Sequence, residues 1–170
     1  MEVAKAIRER RSVRRFEDRE IPGEAVDGLV EALIWAPSAG NLQSRKFYFV
    51  KDPAVKKQLA AAAFNQSFIA DAPLVVVGCT DRNIFGRYGE RGTELYTIQD
   101  VAASLMCMML AAYEAGLGTV WVGAFREEDA AQALQTPSHL RPVAIVPVGY
   151  PKKTPPPPRR VSREEAVEFV

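Results

Sequence analysis

The chain has 170 residues, 48% of them hydrophobic and 25% charged, which suits one compact domain and excludes a disordered, collagen-like or disulfide-dense chain. Lys and Arg total 22 against 21 Asp and Glu, a formal charge of +1, so no overall field draws in nucleic acid or an acidic membrane. Any anion site must be local.

Helical spacing of Val3, Ala6, Ile7 and Arg10 predicts a first helix from about Glu2 to Arg11. A second runs from Gly23 to Trp35, with Val26, Leu29, Val30, Leu33 and Ile34 on one face and Pro37 as its stop. KFYFV (Lys46 to Val50) and LVVVGC (Leu74 to Cys79) read as strands, the second fully buried. Between them a helix from Ala54 to Ala63 is entered through Asp52 and Pro53. Arg82 to Arg91, with two glycines and mixed charge, reads as a mobile surface loop. Thr97 to Ala115 is the longest helix and has almost no polar side, which calls for cover from a second copy of the chain or for a central buried place in a monomer. Strands follow at Thr119 to Ala124 and Val143 to Val148, with a short helix at Glu127 to Leu134 between them. Strands and helices do not alternate as βα units, which favours a layered α+β sheet. The single domain, 1–170, ends in an arm, 151–170, whose Pro155 to Pro158 suit polyproline II and whose Val161 to Val170 have some helical potential.

Cys79 and Cys107 are far apart with no CxxC spacing, which favours reduced thiols in a cytoplasmic protein over a disulfide. The first fifteen residues are charged and show no secretory signal. The longest apolar stretch, Val101 to Tyr113, falls short of the ~20 residues that span a bilayer, so no membrane association is expected. His139 is the one histidine, in a surface loop, which excludes metal sites built on several histidines. GxSxG and GxxxxGK[ST] are absent. GLGTVWVG (Gly116 to Gly123) leaves a helix for a strand, the reverse of the dinucleotide-binding order, and Gly116 and Gly118 suffice as a helix stop.

Two stretches carry chemistry. Arg8 to Arg19 holds six arginines against Glu9, Glu17 and Asp18. If the chain is extended beyond Arg11, Ser12 and Arg14 share a side with Arg10 near the turn, and guanidinium forks with a hydroxyl suit a phosphate monoester. A solvated basic helix end accounts for the same residues. APSAGNLQS (Ala36 to Ser44) has little side-chain bulk, so a flat ligand can approach its backbone while Asn41 and Gln43 supply amides; an ordinary loop has the same composition.

RRSVRRF (Arg10 to Phe16), APSAGNLQ (Ala36 to Gln43), AAYEAGLGTVWVGAF (Ala111 to Phe125) and PVGYP before a basic arm, in that order, together resemble the FMN-dependent nitroreductase family. The resemblance implies an α+β layered fold with a central mixed, mostly antiparallel sheet flanked by helices, and an intertwined homodimer with FMN at the subunit interface. It implies that Arg10, Arg11, Ser12 and Arg14 bind flavin phosphate, ribityl chain and pyrimidine edge. Pro37, Ser38, Ala39 and Asn41 would contact the flavin from the other subunit. Asn65 and Gln66 would stand on the pyrimidine side, Val122, Gly123 and Ala124 near the reactive N5, and Arg159, rather than Arg160, would close on the phosphate. No side chain is implied as catalytic, since the cofactor carries the redox chemistry. A ping-pong cycle is implied, with NADH or NADPH as donor and a nitroaromatic or quinone as small-molecule acceptor. A flavin-using specialist of the same fold, dehalogenase-like or flavin-fragmenting, is the alternative, and an anion or nucleic-acid binding module lies further off. Ser44 and Arg45 stand where many relatives have proline and an aromatic, and Gly86 to Gly92 is compact where relatives often have longer excursions.

Overall fold

The computed structural model describes residues 3–170. Four strands form a sheet in the order β1-β2-β4-β3, with β1 at Arg45–Val50, β2 at Leu74–Asp81, β3 at Gly118–Thr119 and β4 at Leu140–Gly149. All pairings between these strands are antiparallel, and the parallel component expected of a mixed sheet is a single bridge from Ser12 to Thr119.

Alternation along β2 sends successive side chains to opposite faces. Val75, Val77 and Cys79 pack with Leu59, Ile69 and Ala130 of α3 (Pro53–Ala62), α4 (Phe68–Asp71) and α7 (Glu127–Leu134). Leu74 and Val76 pack with Leu29 and Leu33 of α2 (Gly23–Ile34) and with Val101, Leu105 and Met108 of α6 (Thr97–Glu114). The result is the helix–sheet–helix layering expected of the sequence. Gly78 faces α6, and a Cβ there would stand 2.7 Å from Val101 Cγ1 and 2.9 Å from Leu105 Cδ1, so its missing side chain sets how closely α6 lies on the sheet. The Asp52 carboxylate caps α3 by accepting from the amides of Ala54 and Val55 at 2.8 and 2.9 Å. Gly116 ends α6 at φ 74°, in the left-handed region. Both cysteines are free, Cys79 buried and Cys107 half-buried, and His139 is exposed.

Several expectations are corrected. The first helix, α1, is Val3–Glu9, because Arg10 to Ser12 leave it for the bridge to Thr119; Glu2 lies outside the described residues. Arg82 to Arg91 is helical, not a loop: a 3-10 turn at Arg82–Ile84 leads into α5 (Phe85–Arg91), then a π turn at Gly92–Tyr96 and α6. Of the two glycines that suggest a loop, Gly86 sits within the helix with open space where a Cβ would stand. Gly89 kinks α5 at φ 58°, and a Cβ on buried Gly92 would meet that of Tyr88 at 2.8 Å. This run, 82–114, is long and apolar enough to cross a bilayer by length and composition, yet its α6 portion is a core helix packed on the sheet. The expected strand from Thr119 to Ala124 pairs only at Gly118–Thr119 and again at a bridge from Val122 to Ile145, since Gly123 and Ala124 turn out to solvent. Beyond Pro151 the only helix is one turn, α8 (Arg163–Ala166), opened by a capping box between Ser162 and Glu165.

Candidate functional site

The arginine-rich segment divides its side chains by direction. Val13 and Phe16 enter the core, and the Val13 amide donates to Thr119 O at 2.9 Å. Ser12 is half-buried and Arg14 is exposed, its guanidinium carbon 5.8 Å from the ring centre of Phe68 on α4. Arg11 turns back and donates from Nη1 to Arg8 O and Arg10 O at 2.8 and 2.9 Å, closing the end of α1. Arg10 is different. Its Nη1 is buried and has no hydrogen-bond partner among the described residues. Burial, and then the charges of Arg160 and Arg11, lower its pKa from the ordinary arginine value. A buried guanidinium nitrogen with no acceptor among the described residues, with the charges of Arg11 and Arg160 near it, suits an anion, and a phosphate fits. Arg159 is exposed, and of the two arm arginines it is Arg160 whose charge bears on Arg10.

Asn65 follows Phe64 in a turn where both residues take positive φ, 61° and 56°. Such conformations in non-glycine residues cost roughly 1–3 kcal/mol and cluster at functional positions. Gln66 donates from Nε2 to Ala63 O at 2.9 Å and reaches Ala124 O at 3.5 Å, which ties this turn to the segment after the Val122 bridge. Val122 is buried and exchanges both backbone hydrogen bonds with Ile145, at 2.9 and 3.0 Å, so it anchors the exposed Gly123 and Ala124. Three of the predicted groups are thus tied to their neighbours: Arg10 to Arg14 to Thr119 through Val13 and to Phe68 of α4 through Arg14, and Asn65–Gln66 to the segment of Val122 to Ala124.

The fourth is elsewhere. After α2 the chain makes a 3-10 turn at Ala39–Asn41, with Gly40, Asn41 and Gln43 all at positive φ. Ser38 Oγ accepts from the Gln43 amide at 3.0 Å, and Asp100 Oδ1 on α6 accepts from the Ala39 amide at 2.9 Å. The Arg45 guanidinium donates to Ala36 O at 2.7 Å, Pro37 O at 2.9 Å and Ile34 O at 3.2 Å. The Tyr88 hydroxyl of α5 occupies the space that a Cβ on Gly40 would need. Pro37 and Asn41 are exposed, and Ser38 and Ala39 half-buried. Sequence reasoning missed Arg45, Asp100 and Tyr88, whose partners are distant in the chain. The one local signal was the arginine in a place where an aromatic is usual.

The loop and Arg10 sit at opposite ends of α6. Asp100 holds the loop near the helix start, while Tyr113 and Gly116–Gly118 line a cavity of about 90 Å³ with Arg10 and Arg11 near its end. At ~1.5 Å rise per residue, Asp100 and Tyr113 are about 20 Å apart. Asn65, Gln66 and Ala124 belong to the α3–α4–α7 side of the sheet, across from α2 and α6. Within one chain the two groups face different spaces.

The family model described as Nitroreductase family matches residues 7–77 and 61–150. An NADH dehydrogenase of Thermus thermophilus is 30% identical over 197 aligned positions, covering 98% of this chain and 95% of that protein. An FMN reductase [NAD(P)H] of Bacillus subtilis is 30% identical over 164, covering 88% of this chain and 66% of that one. Among solved structures, NfrA2 of B. megaterium superposes with a TM-score of 0.91 at 26% identity, over 99% of this chain and 74% of that one. The chain belongs to the nitroreductase family.

Proposed function

We propose that this protein is an NAD(P)H-dependent FMN oxidoreductase that works as a cytoplasmic homodimer on small-molecule acceptors. The observation that carries the reading is the buried Arg10 Nη1, left without an acceptor beside Arg11 and Arg160. It specifies an anion at one end of the ligand, and the FMN phosphate supplies one. Arg10, with the Ser12 hydroxyl and an arm arginine, Arg160 or Arg159, would hold that phosphate. Arg14, beside Phe68, would present its charge to the pyrimidine edge, with Asn65 and Gln66 near it. Gly123 and Ala124 would offer exposed backbone to the ring.

Pro37, Ser38, Ala39 and Asn41, about 20 Å away along α6 from Arg10, would complete the site of the other subunit. The second copy also has surface to cover. Met106 on α6 and Ile34 and Trp35 after α2 are exposed, and Ala102, Ala103, Cys107 and Leu110 are only half-buried, an apolar stripe at helical spacing. Two free thiols suit a reducing compartment.

FMN held by these residues would supply two-electron redox chemistry, with NADH or NADPH as donor and a quinone or nitroaromatic as acceptor, in the ping-pong order expected where donor and acceptor use one pocket. The side chains bind and orient, and none is required as acid or base. The test is the absorption spectrum of freshly purified protein, followed by NADH and NADPH oxidation with a quinone or a nitroarene. Yellow protein with acceptor-dependent turnover is expected. Colourless protein that takes up no added FMN would overturn the proposal.

A further inference from the structure

The loop from Ala36 to Asn41 is gripped from two sides by residues outside it. α2 ends at Ile34, and the chain reverses so tightly that the carbonyls of Ile34, Ala36 and Pro37 point away from any regular partner. Arg45 collects all three, at 3.2, 2.7 and 2.9 Å, with the carbonyl of Asp100 at 3.5 Å, using the fixed geometry of one guanidinium. Arg45 is itself placed rigidly, since it opens β1 and pairs with Thr80 of β2. On the far side Asp100, 6% exposed, accepts from the Ala39 amide at 2.9 Å, and its other oxygen is buried with no hydrogen-bond partner among the described residues. Asp100 and Arg45 also attract each other electrostatically. A third tie runs from the Thr97 hydroxyl, one helical turn before Asp100, to Ser44 O. The loop has few side chains with which to hold its own shape, so its conformation is imposed from β1 and α6.

We infer that Arg45 and Asp100 are positioning residues that hold the Pro37–Asn41 wall in its flavin-receiving shape. Neither need touch the cofactor. Arg45 fixes the carbonyls at the base of the wall and Asp100 fixes the amide at its middle, and a lysine or an aromatic in place of Arg45 lacks the fork that reaches three carbonyls at once. The inference rests on the proposed FMN site, and the test separates the two.

FMN is titrated into apoprotein by fluorescence quenching for the wild type, Arg45→Ala, Arg45→Lys and Asp100→Ala, while thermal midpoints and amide exchange over 36–41 are measured on the same apoproteins. Arg45→Ala and Asp100→Ala are expected to raise the FMN dissociation constant by about tenfold or more, the cost of losing several hydrogen bonds to a binding loop, and to speed exchange of the Ala39 amide. Arg45→Lys should recover part of the affinity. Arg45 variants that lower the thermal midpoint but bind FMN as tightly as wild type would assign Arg45 to stability alone and overturn the inference. If Arg45→Ala does not fold, Arg45→Lys decides: wild-type affinity with wild-type Ala39 exchange overturns it, and weakened affinity with faster exchange supports it. Wild-type protein that takes up no FMN overturns the proposed function and this inference with it, whereas wild-type uptake with unaltered variants overturns the inference alone.

Discussion

Arg10 carries a charged nitrogen into the protein with no acceptor for it among the described residues, an arrangement that costs stability unless a ligand supplies one. Arg10→Ala is therefore expected to weaken FMN binding by about 1.5–3 kcal/mol, the worth of a charge-assisted bond, while leaving the apoprotein as stable or slightly more so. Fluorescence titration and denaturant unfolding of the apoprotein read the two effects separately. Arg14 lies near Phe68 on the same side, and Arg14→Ala should lower the flavin potential as well as its affinity, by ~30 mV for each ~1.4 kcal/mol of lost preference for the reduced form. Spectroelectrochemistry measures it, and an unchanged potential would remove the electronic role. The arginine cluster was legible because its charge excess is local in a nearly neutral chain. For Arg45 the sequence shows only an arginine where an aromatic is usual, and its role was not legible because its carbonyl partners are created by how α2 ends.

Among the elements, β2 was read well because a run of β-branched residues with no polar alternation has few homes other than a central strand. Gly78 within it shows what that reading omits: the residue looks like a weak point and is the place where α6 comes closest to the sheet. Gly78→Ala should destabilise the protein by roughly 1–3 kcal/mol, the usual cost of overpacking, as read from the urea midpoint. The segment 82–91 reads as a loop from its two glycines and mixed charge, yet Gly86 sits within a helix and Gly89 only kinks it at φ 58°, so glycine there bends the helix without ending it. Between α7 and β4, Arg141 donates to both oxygens of Glu127, at 2.7 and 2.9 Å. These bonds, outweighing burial, hold the Glu127 carboxyl below its ordinary range. A depressed folded-state pKa stabilises the fold above the unfolded value, near 4.3, and that contribution is lost as the pH falls through the folded value. Glu127→Gln should accordingly cost more stability at about pH 7 than at about pH 3, a difference that urea titrations at the two pH values would show.

At the scale of the whole molecule, the sequence announced an oily helix in need of cover, and the exposed stripe on α6 is what that signal looks like in three dimensions. The resemblance already gives the Pro37–Asn41 stretch to the other subunit's flavin, and its place at the opposite end of α6 from Arg10 agrees with that assignment, which spacing along the chain alone would not reveal. Sedimentation should find a dimer, and dilution to the point where it dissociates should release FMN along with the subunits. The placement of Arg10 and of the Ala39 loop on far ends of α6 has a genetic consequence as well. If the proposed site is right, a homodimer carrying Arg10→Ala and one carrying Ala39→Trp are each expected to hold FMN weakly at both of their sites. When the two are mixed, both lesions fall in the same interface site, and the opposite site is assembled from the two undamaged halves. Two weakly binding parents should thus complement each other at limiting FMN, with one tight centre restored in every hybrid.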